Sequence, residues 1–270
     1  MTQTIPPLGL GTFGRTGADG LAALEAALEL GYRHIDTAQT YDTEANVGEA
    51  IRRSGLPRGD LFVTTKISDQ HLDSPRALNS VEKSLETLGL DHVDLLLIHW
   101  PSYGHEVPME DYLTALAEAQ DKGWATQIGV SNFTIDHLKR TEAILGKGRI
   151  ATNQVEIHPY LQAPKLTGHM KQMGLTPTAY QPLAQGRVAE DQVLAEIGAA
   201  HGITAAATSL AFLMGEGYIV IPASSSRARL AENLTANGVT LTAEEADRIR
   251  ALDKGARIID PEKSPDWDDV

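Results

Sequence analysis

The chain has no cysteine in its 270 residues. That excludes disulfides, thiolate nucleophiles and cysteine-ligated metals together. Long apolar runs are also missing, and no stretch approaches the roughly 20 residues of a membrane span. The opening MTQTIPPLGLGTF has neither the basic segment nor the apolar core of a secretory leader. A cytoplasmic protein with no membrane partner is expected. Basic residues are in the minority, 23 Lys and Arg against 36 Asp and Glu, for a net charge of −13. A field of that sign repels nucleic acid, so none is expected as a partner, though a local basic pocket remains possible. Aromatic residues make up only 5%, yet hydrophobic residues reach 42% and charged residues 22%. That is enough for a sizeable core and too apolar for wholesale disorder.

What is present is alternation. Short runs rich in Val, Ile, Leu and Thr are followed by amphipathic runs of about ten to fifteen residues, the strand–helix signal. Candidate strands cover 8–13, 34–37, 61–67, 93–100, 126–130, 152–157, 176–180 and 218–222. Candidate helices cover 17–30, 44–54, 75–88, 109–122, 135–145, 163–173, 191–201 and 227–236. Eight such units without a linker predict one (β/α)8 barrel domain over residues 1–270, a fold that typically takes about 250 residues. Glycines recur where helices should end: Gly31, Gly55, Gly89, Gly123, Gly148 and Gly174. Ser74 before Pro75 reads as an N-cap. Thr242 with Glu245 reads as a capping box that opens an extra helix over 243–252. VDLLLI at 93–98 is apolar almost throughout, as in a strand covered on both faces. The alanine-rich stretch 199–211 reads as a helical surface used for packing. A tail over 254–270 is expected across the active-site face, anchored by Trp267.

Gly9, Gly11 and Gly14 match G-x-G-x-x-G. Asp36 follows at about twenty residues, where a dinucleotide-binding Rossmann unit has its ribose ligand. The context fails. Pro6 and Pro7 break the preceding strand, and residues 15–20 separate the last glycine from the helix.

In a barrel, polar residues at the C-terminal ends of strands read as active site. Here they are Asp36, Lys66, His99, Ser131, Asn132, Gln154, Glu156, Tyr180 and Gln181. Lys66 closes an apolar strand, and a buried ammonium needs a partner. Asp36 is the natural one. One reading is a structural ion pair beside a hydrogen-bonded His99. The other adds Tyr41. A phenol has a pKa of about 10, and a neighbouring ammonium lowers it. With a histidine to orient a carbonyl oxygen, such a group can protonate a carbonyl as it receives a hydride. His34 and Asp36 would instead suit a metal-dependent hydrolase barrel, but no H-x-H or H-E-x-x-H accompanies them and Lys66 repels a cation, so no metal is expected. His34, His158 and His201 read as hydrogen-bonded or surface histidines. Arg52, Arg53, Arg248 and Arg250 read as solvated. A carbonyl reductase, a metal-dependent hydrolase and a non-catalytic nucleotide-binding barrel all stay open at this point.

The segments GLGTF (9–13), GYRHIDTAQTYDTEANVGEAI (31–51), LFVTTKI (61–67), VDLLLIHWP (93–101), IGVSNF (128–133), NQVEIHPYLQ (153–162), AYQPLAQG (179–186) and IPASSSRARLAENL (221–234) resemble the aldo-keto reductase superfamily, nearly end to end. MGEGYIVIPASS and the ending SPDWDDV resemble its bacterial 2,5-diketo-D-gluconate reductases, in the smaller form also described as methylglyoxal reductase. The resemblance implies NADPH-dependent reduction of small carbonyl compounds by a monomer. It implies Tyr41 as proton donor, tuned by Asp36 and Lys66, with His99 orienting the carbonyl. Gly11, Thr12 and Asp36 would border the cofactor. Ser131, Asn132 and Gln154 would hold the nicotinamide carboxamide, Tyr180 beside Gln181 would stack on its ring, and Leu183 and Gly186 would line the pyrophosphate passage. Ser224, Ser226, Arg229, Glu232 and Asn233 would hold the adenosine end. Phe13, Tyr41, His99, Trp100 and Trp267 would wall the substrate pocket. One position departs from the pattern. Ala223 stands where the family usually has a lysine facing the 2′-phosphate, which opens the way to NADH. Arg227 is the expected substitute for that lysine. The loop 101–108 is short, so the pocket should be open, and no cation for a keto acid can be placed in it from sequence.

Overall fold

Strand β4 (Val93–Ile98) accounts for its own apolar run. Successive side chains on a strand point to opposite faces. Leu96 and Ile98 join the large apolar cluster under the helices, while Leu95 and Leu97 join a small separate cluster with Phe62. Burying each such side chain is worth about 1.5–3 kcal/mol. Both faces are therefore covered, the condition of a parallel sheet inside a shell of helices.

The computed structural model describes residues 4–268. Its strands are β1 (Leu10–Gly11), β2 (His34–Asp36), β3 (Phe62–Ile67), β4, β5 (Ala125–Ser131), β6 (Asn153–Glu156), β7 (Thr178–Tyr180) and β8 (Ile219–Val220). They pair in parallel in chain order. Leu8 bridges to Val220, and the Gly9 N–H donates to the Val220 carbonyl over 2.8 Å, which closes the (β/α)8 barrel. At Gly11 the backbones come close, and a Cβ there would meet the Ile221 carbonyl oxygen at 2.8 Å. All eight expected strands are found, most of them shortened at their ends.

The helices are α1 (Gly17–Leu30), α2 (Glu44–Ser54), α3 (Ser74–Leu88), α4 (Met109–Asp121), α5 (Ile135–Leu145), α6 (Pro164–Gln172), α7 (Gln192–His201), α8 (Ala205–Gly215), α9 (Arg227–Leu234) and α10 (Ala243–Arg250). Gly31, Gly55 and Gly89 cap α1, α2 and α3 in the left-handed conformation, whereas α5 ends at Gly146 rather than at Gly148. The N-cap of α3 is Asp73, not Ser74, because its carboxylate accepts the Arg76 N–H. The expected capping box of α10 is present. The stretch 199–211 is not one helical surface. Gly202 ends α7 in left-handed geometry, Thr204 caps α8 through its side chain, and the two helices bend by 83°. Most of α8 is buried, so the seventh unit carries two helices. No single described helix is long and apolar enough to cross a membrane.

The tail after α10 returns over the strand ends. Glu156 at the end of β6 accepts the N–H groups of Ile258 and Ile259, each over 2.7 Å. Asp268 accepts the Ile135 N–H at the start of α5. The last two residues of the expected tail lie outside the described residues.

Candidate active site

Strand alternation brings the polar residues together. Asp36, Lys66 and Tyr180 lie at or next to the C-terminal ends of their strands, Gln154 lies within β6, and His99 lies just past β4. Lys66 is fully buried. Its ammonium donates to Asp36 Oδ1 over 2.5 Å and to the Thr37 carbonyl over 2.8 Å. It also lies 5.0 Å from the centroid of the Tyr41 ring. The Tyr41 hydroxyl is 3.3 Å from His99 Nε2, and Thr40 Oγ1 is 3.4 Å from Nδ1 of the same ring.

Burial pushes the Tyr41 phenol above its ordinary value; the Lys66 ammonium pulls it down, but not far enough to reverse the shift. The lowering expected from the lysine is therefore real as a contribution and absent as a net effect, because a phenolate in this apolar setting loses its hydration. Burial also opposes the Lys66 charge, yet Asp36 and Tyr41 outweigh it and hold the ammonium above its usual range. Burial, then Lys66 and then Lys263 push His99 well below the ordinary histidine value. At neutral pH the site thus holds a protonated phenol, a charged lysine and a neutral imidazole.

A cleft of about 1060 Å³ opens over this cluster. Asp36, Tyr41 and His99 line it, as do Gly11, Thr12, Phe13, Trp100, Ser131, Asn132, Gln154, Tyr180, Gln181, Leu183, Gly186, Ser224, Arg229, Glu232 and Asn233. Phe13, 65% exposed, stands edge-on to Tyr41 at 5.2 Å. Beyond β5, Asn132 takes a left-handed backbone with φ 64°. Its side-chain N–H groups donate to the His99 carbonyl and to Ser131 Oγ, and its Oδ1 accepts the Tyr180 hydroxyl over 2.8 Å. The loop after β7 is bent through left-handed residues Gln181, Ala184, Gln185 and Gly186. Such strain is stored where surrounding structure over-determines the backbone, often at functional sites.

Three residues expected in the site lie elsewhere. Ser226 caps α9 by accepting the Arg229 N–H, and Ser225 takes its place on the cleft wall. Arg227, expected to substitute for the missing lysine, is not on the cleft wall. It is exposed and pairs with Glu29 of α1 over 2.6 Å. Trp267 packs at 6.2 Å on Trp100 instead of lining the cleft, with Arg257 stacked 3.8 Å over it. Lys66 sits behind the wall, buried under Tyr41 and Asp36. The sequence reading missed Arg15, Thr40, Asp69, Gln70 and Lys263, all of which line the cleft. Thr40 stands beside Tyr41 in the 31–51 segment, whereas Asp69, Gln70 and Lys263 belong to no local pattern. His34 faces the Pro6 carbonyl and Thr64 Oγ1, so its ring nitrogens and the Asp36 carboxylate do not converge.

The Aldo/keto reductase family model matches residues 7–254. The methylglyoxal reductase DkgB of Salmonella typhimurium is 47% identical over 267 residues, 98% of this chain and 100% of that protein. Among solved structures, a putative 2,5-diketo-D-gluconic acid reductase B superposes with a TM-score of 0.94 at 43% identity, covering 98% of this chain and 94% of the other. An aldo-keto reductase complexed with NADPH superposes with a TM-score of 0.89 at 28% identity, covering 98% and 92%. The chain belongs to the aldo/keto reductase family.

Proposed function

We propose that this protein reduces small aldehydes and ketones to alcohols with NADPH, and that methylglyoxal and keto-sugar acids such as 2,5-diketo-D-gluconate are the first substrates to test. The observation that carries this is the convergence of Asp36, Lys66, Tyr41 and His99 at a cleft of about 1060 Å³. Relatives named for methylglyoxal and diketogluconate reduction support the choice of substrates.

The residues present fit the cofactor. Arg15 Nε is buried without a hydrogen-bond partner on the cleft wall, which suits an anionic group. Ser131, Asn132 and Gln154 would hold the carboxamide, Tyr180 would stack on the ring, and Leu183 with Gly186 would border the pyrophosphate. Ser224, Arg229, Glu232 and Asn233 would hold the adenosine end. When bound, NADPH supplies the hydride.

This chain's own groups manage the proton. Tyr41 donates it to the carbonyl oxygen, and Lys66 stabilises the phenolate left behind. Asp36 keeps the lysine in place. We assign the Thr40 hydroxyl as the donor to Nδ1, which puts the His99 proton on Nε2, so that the ring presents an N–H to the carbonyl oxygen. Such positioned acid catalysis typically contributes about 10²–10⁴-fold. We further read residues 1–270 as one barrel domain, working as a cytoplasmic monomer.

The test is purified protein mixed with NADPH and methylglyoxal. Absorbance at about 340 nm, a property of the reduced cofactor, should fall in proportion to enzyme. Cofactor binding without turnover of any carbonyl compound would favour a non-catalytic barrel, and chelator-sensitive hydrolysis a metal-dependent one.

A further inference from the structure

The cleft contains a cation that arrives from the far end of the chain. Lys263, in the tail, lines its wall, as does Asp69, two residues past β3. The Lys263 ammonium lies 2.8 Å from Asp69 Oδ2 and 5.6 Å from the centroid of the Trp100 ring. It is also near enough to His99 to help push that ring toward its neutral form, after burial and Lys66. The charge is therefore felt where the carbonyl oxygen would bind. The pair is part-exposed, 35% at the lysine and 19% at the aspartate, and exposed ion pairs of this kind hold weakly. An ammonium has three hydrogens to donate, so a second carboxylate can join or replace Asp69 without unseating the tail, which Glu156 holds separately.

We propose that Lys263 selects carbonyl substrates that carry a carboxylate, with Asp69 as the resident counter-ion that such a substrate shares or displaces. This rests on the reading of the protein as a carbonyl reductase. Neutral aldehydes enter the same cleft but gain nothing from the cation. Although the chain carries a net charge of −13, an anion at this part of the wall meets the lysine ammonium directly. Asp69 moderates that attraction and keeps the ammonium in place when no anion is bound.

The experiment compares aldehydes similar in size and different in charge: glyoxylate against methylglyoxal, and succinate semialdehyde against butanal. kcat/KM with NADPH is measured for the parent, Lys263→Met, Lys263→Arg and Asp69→Asn. Loss of one charge-assisted hydrogen bond corresponds to about a tenfold effect. The anionic-to-neutral ratio should fall about that much in Lys263→Met for at least one pair, recover in Lys263→Arg and rise in Asp69→Asn. Added salt should depress the anionic kcat/KM of the parent more than that of Lys263→Met. If Lys263→Met slows both members of each pair alike, the lysine only holds the tail and the proposal is overturned. Turnover of neutral aldehydes with none of the anionic ones overturns it too, while leaving the reductase reading intact. Absence of any turnover with NADPH would defeat that reading itself and this proposal with it.

Discussion

Gln154 and Asp36 meet across the barrel: the Gln154 amide donates to Asp36 Oδ2 over 2.7 Å, while Lys66 occupies Oδ1. The carboxylate thus receives a donor on each oxygen, one from β6 and one from β3. Because a carboxylate only accepts, it also fixes the amide's orientation. The NH2 end faces Asp36, so the carbonyl end of Gln154 is left for another partner. One buried acid holds the lysine under Tyr41 and orients a residue of the expected carboxamide site.

This arrangement makes Asp36 and Lys66 strongly coupled. Removing one partner of a buried pair leaves an uncompensated charge, a loss of about 3–5 kcal/mol. Lys66→Met should therefore lower thermal stability sharply. Adding Asp36→Asn to it should cost far less than the two single losses summed. Additive losses across the double-mutant cycle would show that the pair is not the unit described here.

Tyr41→Phe removes a hydroxyl and little else. Its phenol is needed to give a proton, not to bind the cofactor, so NADPH affinity measured by fluorescence titration should stay within about twofold. Turnover should drop by about 10²-fold or more. A variant that retains parental kcat would reassign the proton donor.

The pH profile of kcat/KM follows from the two shifts. Tyr41 acts while protonated, and its value is raised, so the active form persists above the ordinary phenol value of about 10. His99 acts while neutral, and its value is lowered well below 6.5, so its neutral form persists below the ordinary histidine range. The plateau should span both neutral and mildly alkaline pH, with no inflection at the ordinary histidine value. A clear ionisation there, abolished in His99→Gln, would contradict the burial argument.

Cofactor preference should depend on Arg229 and not on Arg227. Arg229 lines the cleft, whereas Arg227 is turned to Glu29. The parent should show a higher kcat/KM with NADPH than with NADH. Arg229→Ala should lower that ratio by about tenfold, the scale of a charge-assisted contact to phosphate, and Arg227→Ala should leave it nearly unaltered. Equal loss in both variants would mean that Arg227 swings to the 2′-phosphate when the cofactor binds.

Much of this protein is legible in the residues themselves, because the deciding forces are local. Alternation of short apolar strands and amphipathic helices specifies the barrel, and helices α1, α2 and α3 end where the sequence indicates. A lysine closing an apolar strand needs an acid, and the polar strand ends alone name Asp36, Lys66 and His99. What the sequence could not settle depends on contacts between distant segments. Whether Ser225 or Ser226 faces the cleft is decided by which hydroxyl caps α9. That Arg227 turns to Glu29 on α1 is a contact between segments far apart in the chain. Trp267 was legible as an anchor but not as a partner of Trp100 and Arg257. The net shift of Tyr41 is set by burial, which no spacing reveals. Lys263 stands in an acidic tail with no motif around it. Only the folding of that tail over the strand ends, held by Glu156, brings its charge to the cleft beside Asp69 and Trp100.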